Sequence, residues 1–260
     1  MLMLKIVSYN LRSVWDGDGV NCFPNRAGGI LEKINAEKPD VICFQEGIEP
    51  SMAFLRKYLK PEYDIVYNQR NADFGGEGLA VAVRTETVTL LGVDFFWLSE
   101  TPYEPGSRYA IQSDCPRICQ CLLFKTNDEK KLFRVYNNHL DHVSDSARIL
   151  GIKQVMERVA QDSKLFGGVP VFILGDLNAE PGSETIEYCN NYEPFPVKDL
   201  TTEVGGTFHN YGRLNPPSKI DFIYTDVKTA EKPYTVTKWT DERCGVYLSD
   251  HYPVALEIEL

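Results

Sequence analysis

The stretch VFILGDLN, residues 171–178, concentrates more chemistry than any other part of the chain. Asp176 and Asn178 follow a short apolar run and a glycine. The run, residues 169–174, has the length and composition of a strand, and residues two apart on a strand share a face. If extended backbone persists past Gly175, Asp176 and Asn178 point the same way at the strand's carboxyl end. A carboxylate and a carboxamide held together there could orient a metal-bound or attacking water. Gly175 permits close backbone approach or unusual dihedrals just before them. A strand leaving into a turn would also end in Asp and Asn, so the neighbours of this stretch decide its meaning.

Polar groups recur at other strand ends: Asn10, Glu46, His139 and the pair Asp250–His251. Asp221 sits inside KIDFIY, and a buried carboxylate there must be paired or hydrogen-bonded. Binding sites of α/β sheets form where such ends meet. Each residue alone has a plainer reading: Asn10 in a turn, Glu46 as a solvated loop carboxylate, Asp250–His251 as a capping turn. Together, widely separated segments offer acids, amides and imidazoles to one place.

Elements to position them can be read along the chain. Strands are expected at 4–9, 41–46, 63–67 and 79–83, with one or two within 87–98. A hairpin of 117–125 and 132–138 turns at 126–128, and further strands are expected at 219–225, 234–239 and 254–260. Helices are expected at about 25–38, 51–60, 144–164 and 183–190. Residues 68–78 form a polar, glycine-bearing loop and 201–215 an irregular one. The loop 100–116 is long enough to favour a functional role over an idle one. No repeat, low-complexity tract or linker interrupts the chain, so one domain over 1–260 is expected.

Composition bounds the partners. At 260 residues, 43% hydrophobic and 25% charged, the chain is ordinary for a soluble globular protein. No apolar run approaches the roughly 18 residues of a membrane span, and the N-terminus turns polar too quickly for a signal peptide. A cytoplasmic monomer that needs no membrane is expected. The 7 cysteines are odd in number and scattered in apolar settings, as reduced buried thiols would be. Cys115, Cys119 and Cys121 have no fourth ligand at a usual spacing, so structural zinc is not expected. A net charge of −10 argues against broad electrostatic gripping of duplex nucleic acid. It permits a phosphate substrate at a local metal site, because a divalent cation supplies the missing charge.

Six segments, SYNLR, FQE, NNHLDH, ILGDLN, KIDFIY and SDHYPV, occur in this order between Ser8 and Val254. With them the chain resembles the endonuclease/exonuclease/phosphatase (deoxyribonuclease-like) superfamily. SETPYEPGSR and HLDHVSDSAR bring it nearest to bacterial members on the deadenylase side. The resemblance implies a four-layer α/β/β/α sandwich with two mixed β-sheets and a divalent-metal site where their loops meet. Sequence pattern alone gives only mixed α/β.

The resemblance also implies roles. Glu46 is expected to bind magnesium, with Asn10 beside it and Asp250 as a further metal-side or His-orienting carboxylate; manganese is the alternative ion. Asp176 and Asn178 are expected to orient or deprotonate the attacking water, and Asp221 to orient the imidazole of His251. His139 is expected at the phosphate or leaving group, with Glu77 as its carboxylate partner. Arg117, and after it Arg12 and Arg148, are candidates to reach phosphate. The expected function is a magnesium-dependent phosphoesterase, first a nuclease or phosphodiesterase. The first alternative is a phosphatase of a small metabolite such as a sugar or inositol phosphate. The partner is then a phosphate ester, either single-stranded nucleic acid or a small molecule. From a different class, a catalytically silent binding module would keep the fold but lose Glu, Asp or His from the site, and none is missing.

Overall fold

Strand β1, Met3–Asn10, sets the pattern of the molecule. Its alternate side chains Leu4 and Ile6 enter one core while Val7 and Tyr9 enter another. A strand buried on both faces reads as a near-continuous apolar run, which is what the N-terminal segment shows. The structure, a computed structural model, describes residues 3–260; Met1 and Leu2, at the head of that run, lie outside the described residues.

The chain continues through α1 (Phe23–Glu37), β2 (Val41–Gly47), α2 (Glu49–Leu59), β3 (Tyr63–Gln69), β4 (Gly78–Arg84) and β5 (Val88–Trp97). Next come β6 (Ile118–Thr126), β7 (Leu132–His139), α3 (Asp145–Leu165), β8 (Val171–Asp176) and α4 (Glu184–Asn190). The last elements are β9 (Val197–Asp199), β10 (Asp221–Asp226), β11 (Tyr234–Lys238), β12 (Glu242–Arg243), β13 (Val246–Tyr247) and β14 (Val254–Glu259). One six-stranded sheet has the order β11-β14-β1-β2-β4-β3 and the other β5-β6-β7-β8-β10-β9. Each is mixed: β1–β2 and β7–β8 pair in parallel, the remaining neighbours antiparallel.

Three apolar cores stack these parts into an α/β/β/α sandwich. Leu4, Ile6, Val41 and Val81 of one sheet meet Phe124, Phe133, Val135 and Phe172 of the other. On the first sheet's outer face, Ile42 and Phe44 pack on Phe23, Ala27, Ile30 and Ile34 of α1 and Met52 and Leu55 of α2. The 3- and 4-residue spacing of those α1 positions makes one helical stripe. On the other outer face, Ile152, Val155 and Val159 of α3 cover Tyr136, Ile173 and Phe222. Ser144 caps α3, its hydroxyl accepting from the Ala147 amide at 3.2 Å.

Several expected boundaries move. Helix α1 starts at Phe23 with Pro24 in its first turn, a position where the missing amide costs nothing. A 3-10 turn occupies Asp16–Asn21. Strand β3 runs to Gln69, and 88–97 is one bulged strand. The three-residue β9 was not expected, because so short a segment carries no readable alternation. No helix among the described residues is long and apolar enough to cross a membrane.

Candidate active site

The carboxyl ends of β1, β2, β7 and β8 and the segments entering β10 and β14 share one rim of the sandwich, where the sequence placed its polar residues. Beneath the rim lies a buried amide layer: Gln45 Nε2 donates to Asn137 Oδ1 at 2.8 Å, and Gln120 Nε2 to Asn68 Oδ1 at 2.8 Å. Those bonds join the two sheets directly under the site and satisfy groups that would otherwise be costly to bury.

Asp176 is the hub. Its Oδ2 accepts from Asn10 Nδ2 at 3.0 Å and faces His139 Nε2 at 3.5 Å and His251 Nε2 at 3.7 Å. Gly175 before it has φ +135°, and a Cβ there would sit 1.9 Å from the Asn138 carbonyl oxygen, so only glycine lets β7 come this close. The extended backbone expected beyond Gly175 stops at Asp176. Asn178 has φ 48°, a left-handed conformation that asparagine tolerates. Its amide donates to Asp176 Oδ1 at 2.9 Å and its Nδ2 to the Leu140 carbonyl at 3.0 Å. Asn178 still reaches the cleft, but through a turn that braces Asp176.

Glu46 also stands on a strained backbone, φ 58°, where the pairing of β2 with β4 slips between Phe44 and Gly47. Its Oε1 accepts from Asn10 Nδ2 at 3.0 Å and its Oε2 from the Ser13 amide at 3.0 Å. Asn10, expected on the metal side next to Glu46, directs its amide nitrogen to both Glu46 and Asp176, and its oxygen accepts from the Arg12 amide at 3.0 Å. Asn10 therefore spaces the two carboxylates.

His251 Nδ1 lies 2.8 Å from Asp221 Oδ2, and both residues are buried. That contact fixes the tautomer and aims Nε2 at Asp176. Neighbouring Asp250 has Ser249 Oγ at 3.1 Å and Arg12 Nε at 3.7 Å. Arg26, in α1, donates to the carbonyls of Asn21, Leu11 and Leu248 and so ties together the segments that carry Arg12 and Asp250.

Electrostatics separates the groups. Burial pushes Asp176 up to about 7, against the pull of His251. For His251, burial opposes the charged form, but Asp221, Asp176 and Asp250 outweigh it and raise the pKa to about 10. Burial also lifts Asp250, with Glu46 adding like-charge repulsion. Glu46 falls below its ordinary value: burial acts upward, but the Ser13 amide, Asn10, His251 and Arg12 together prevail. His139 is held well below its usual value by burial and by Arg117 and Arg70, so its imidazole is neutral at physiological pH.

Two expected partners are committed elsewhere. Glu77 pairs with Arg70 Nη1 at 2.8 Å, not with His139, because both stand at the ends of the loop joining β3 and β4. Arg12 donates to both oxygens of Asp18 at 3.1 Å each, a bidentate pair that ties up the guanidinium expected to reach substrate. Arg148 donates to the Asp141 carbonyl at 2.8 Å. Arg117 stays at the cleft, its Nη2 3.0 Å from His142 Nδ1. Arg70, Cys115, Phe208 and Asn210 also line the cleft and carried no readable signal as site residues.

The cleft holds about 380 Å³. A larger cavity of about 750 Å³, walled by Lys131, Lys164 and Lys232 among others, lies at the opposite ends of the strands and contains none of these groups. Ligand atoms of Glu46, His139 and Asp176 lie within 4.8 Å of one another, as do those of Asp176, Asp221 and His251. Because Asp221 is engaged by His251, the first set is the freer one for an ion. Carboxylate oxygens with one neutral imidazole suit a hard divalent cation such as magnesium or manganese. Such a cation would favour the charged forms of Asp176 and Asp250, which burial opposes.

Comparison with known proteins gives consistent matches. A family profile described as "Endonuclease/Exonuclease/phosphatase family" matches residues 7–251. The fold superposes on an endonuclease/exonuclease/phosphatase from Bacteroides vulgatus with a TM-score of 0.90 and 26% identity, covering 100% of both chains. It superposes on a mannosyl-6-phosphatase from Bacteroides thetaiotaomicron with a TM-score of 0.84 and 25% identity, covering 99% of this chain and 100% of that one. An uncharacterized protein of Acanthamoeba polyphaga mimivirus is 25% identical over 254 residues, 90% of this chain and 91% of that protein.

Proposed function

This chain belongs to the endonuclease/exonuclease/phosphatase family, and we propose that it hydrolyses phosphate esters with the help of a divalent cation, magnesium or manganese. The observation that carries the reading is the convergence of Glu46, Asp176 and His139 beside a His251 already paired with Asp221. A divalent cation bound there would supply positive charge to the non-bridging oxygens of the phosphoryl group and to the leaving oxygen. Glu46, with Asp176, would hold it.

The protein's own groups account for the proton movements. In hydrolysis the water oxygen forms the new bond to phosphorus and the ester P–O bond breaks. The leaving oxygen becomes a hydroxyl by taking up the proton that Asp176 removes from the water and passes on through solvent. Asp176, braced by Asn10 and Asn178, is placed to orient the water and take its proton. His251, protonated and held by Asp221, is placed to stabilise the charge that develops on phosphate. His139, neutral, offers a hydrogen bond at the opposite side of Asp176.

The sequence alone put a phosphodiester first and a small phosphorylated metabolite second. Two observations favour the reverse order. The cleft's 380 Å³ falls at the low end of small-molecule pockets, roughly 300–1,000 Å³. The mannosyl-6-phosphatase likeness points the same way. Calorimetric titration with magnesium tests the metal assignment: Glu46→Ala should weaken binding at least tenfold while circular dichroism stays unchanged. Wild-type affinity in that variant would overturn it.

A further inference from the structure

The cleft runs between ends of opposite charge. Along one rim the consecutive strands β10, β8, β7 and β6 carry Asp221, Asp176, His139 and, just before β6, Arg117. Along the facing rim come His251 before β14, Asn10 on β1, Glu46 on β2, and the Arg70–Glu77 pair beside β3 and β4. Strand spacing puts the Arg117 backbone about 10 Å from that of Asp176, a span its side chain can largely cross. Acids therefore crowd one end, and the other end is built around guanidinium groups.

Arg117 is 4% exposed. Beyond His142, the carboxylate within 4.0 Å is Asp141, with Oδ2 4.0 Å from Nε, and the oxygens of Asp141 already accept from Ser113, Val143 and Ser144. Among the described residues, Nε and Nη1 of Arg117 have no hydrogen-bond partner. Arg12 and Arg70, the other arginines of the cleft, each pair with a carboxylate, Asp18 and Glu77, and of Arg70 only Nε is left without a hydrogen-bond partner among the buried atoms described. A buried guanidinium left without a full set of acceptors is costly and cannot shed its proton. A chain that keeps one at the cleft wall has a site made for an oxyanion.

Space decides which oxyanion. The pocket behind Arg117, bounded by Arg70, Glu77, Leu79, Ile118 and His139, has about 10 Å³. That is room for roughly one water-sized group, so neither a second phosphate nor an ester substituent fits there. Any anion meets Arg117 from the main cleft, where it shares the wall with His139 and Asp176.

We infer that Arg117 takes a terminal, non-bridging oxygen of the phosphoryl group itself and thereby makes this site selective for phosphomonoesters over phosphodiesters. The inference rests on the phosphoesterase reading above and names the substrate class. A monoester dianion presents an additional charged terminal oxygen to the guanidinium. In a diester that oxygen carries a second substituent, so it is uncharged and a poorer acceptor. The planar fork of arginine suits this recognition better than a lysine point charge.

The test compares p-nitrophenyl phosphate with bis(p-nitrophenyl) phosphate on the wild type, Arg117→Met and Arg117→Lys, with magnesium. The wild type should favour the monoester. Arg117→Met should lose about 10²-fold or more in kcat/KM on the monoester, the scale of one anion-stabilising donor, and less than about fivefold on the diester. Arg117→Lys should fall between. Equal losses on both esters, or a wild type that prefers the diester, would overturn the inference and leave the phosphoesterase reading intact. A second arm needs no turnover: calorimetry with inorganic phosphate and magnesium should show at least tenfold weaker binding in Arg117→Met. An unchanged Kd would overturn the inference even if neither ester were hydrolysed. Methionine removes an uncompensated buried charge, so the variant's melting temperature should hold or rise; if it falls, the lysine variant carries the comparison.

Discussion

Replacing Asp221 with asparagine should change how stability depends on pH, and the sign follows from the site. In the metal-free protein His251 has its pKa raised from 6.5 to about 10, by carboxylates that outweigh burial. A folded-state pKa above the unfolded one means the folded protein holds a proton the unfolded chain gives up. The resulting stabilisation is fully present below about 6.5 and is lost as pH rises through about 10. Its size is on the order of 3–5 kcal/mol, the scale also expected for breaking one buried ion pair. Asp176, whose folded pKa is raised as well, acts in the same direction but over a lower range, with half of its proton gone at about 7. Above about pH 8 the change in the difference between wild type and variant therefore reports His251. Urea unfolding in the presence of a chelator should show Asp221→Asn less stable by several kcal/mol near pH 7, with the gap at least halved by pH 10. An NMR titration of the His251 ring should show its pKa falling in the variant. A stability gap that is constant across this range, or an unshifted imidazole, would refute the reasoning.

Two further outcomes follow from the same geometry. Because Asp221 acts through His251 at 2.8 Å, Asp221→Ala and His251→Ala should each lower kcat by roughly 10²-fold or more, with little further loss in the double variant. Full additivity in the cycle would show that they work separately. A site that grips one phosphoryl group should also depend weakly on salt, since each neutralised duplex phosphate adds about −0.9 to the logarithmic slope. A KM for short oligonucleotides or duplex DNA with a slope steeper than about −4, alongside efficient cleavage, would contradict the small-substrate reading.

Much of the frame was legible because it depends on local pattern. The apolar run of β1, helical spacing in α1 and α3, and a glycine before Asp176 announce their elements without knowledge of the neighbours. The rim residues were legible as types at strand ends. Their pairings were not, because those are set by tertiary contacts between loops far apart in sequence. Arg12 is taken by Asp18, Glu77 by Arg70, and Asn10 turns its nitrogen toward two carboxylates it meets only in the folded sheet pair. Glu46 and Asn178 depart from strand periodicity through positive φ at residues other than glycine, which no alternation rule anticipates. His142 beside Arg117 likewise depends on how the loop before β6 meets the end of β7.

Hydrolysis of phosphate esters at this rim with a divalent cation is the property that everything above requires. The direct measurement is a turnover screen over p-nitrophenyl phosphate, bis(p-nitrophenyl) phosphate, hexose phosphates and a short oligonucleotide, with magnesium, with manganese and with a chelator. Asp176→Asn serves as the blank, since it keeps the shape of the hub and removes its charge. Metal-dependent hydrolysis of at least one ester is expected, abolished by the chelator and lowered about 10²- to 10⁴-fold in Asp176→Asn. No turnover of any ester with either metal, or equal rates in wild type and Asp176→Asn, would contradict it.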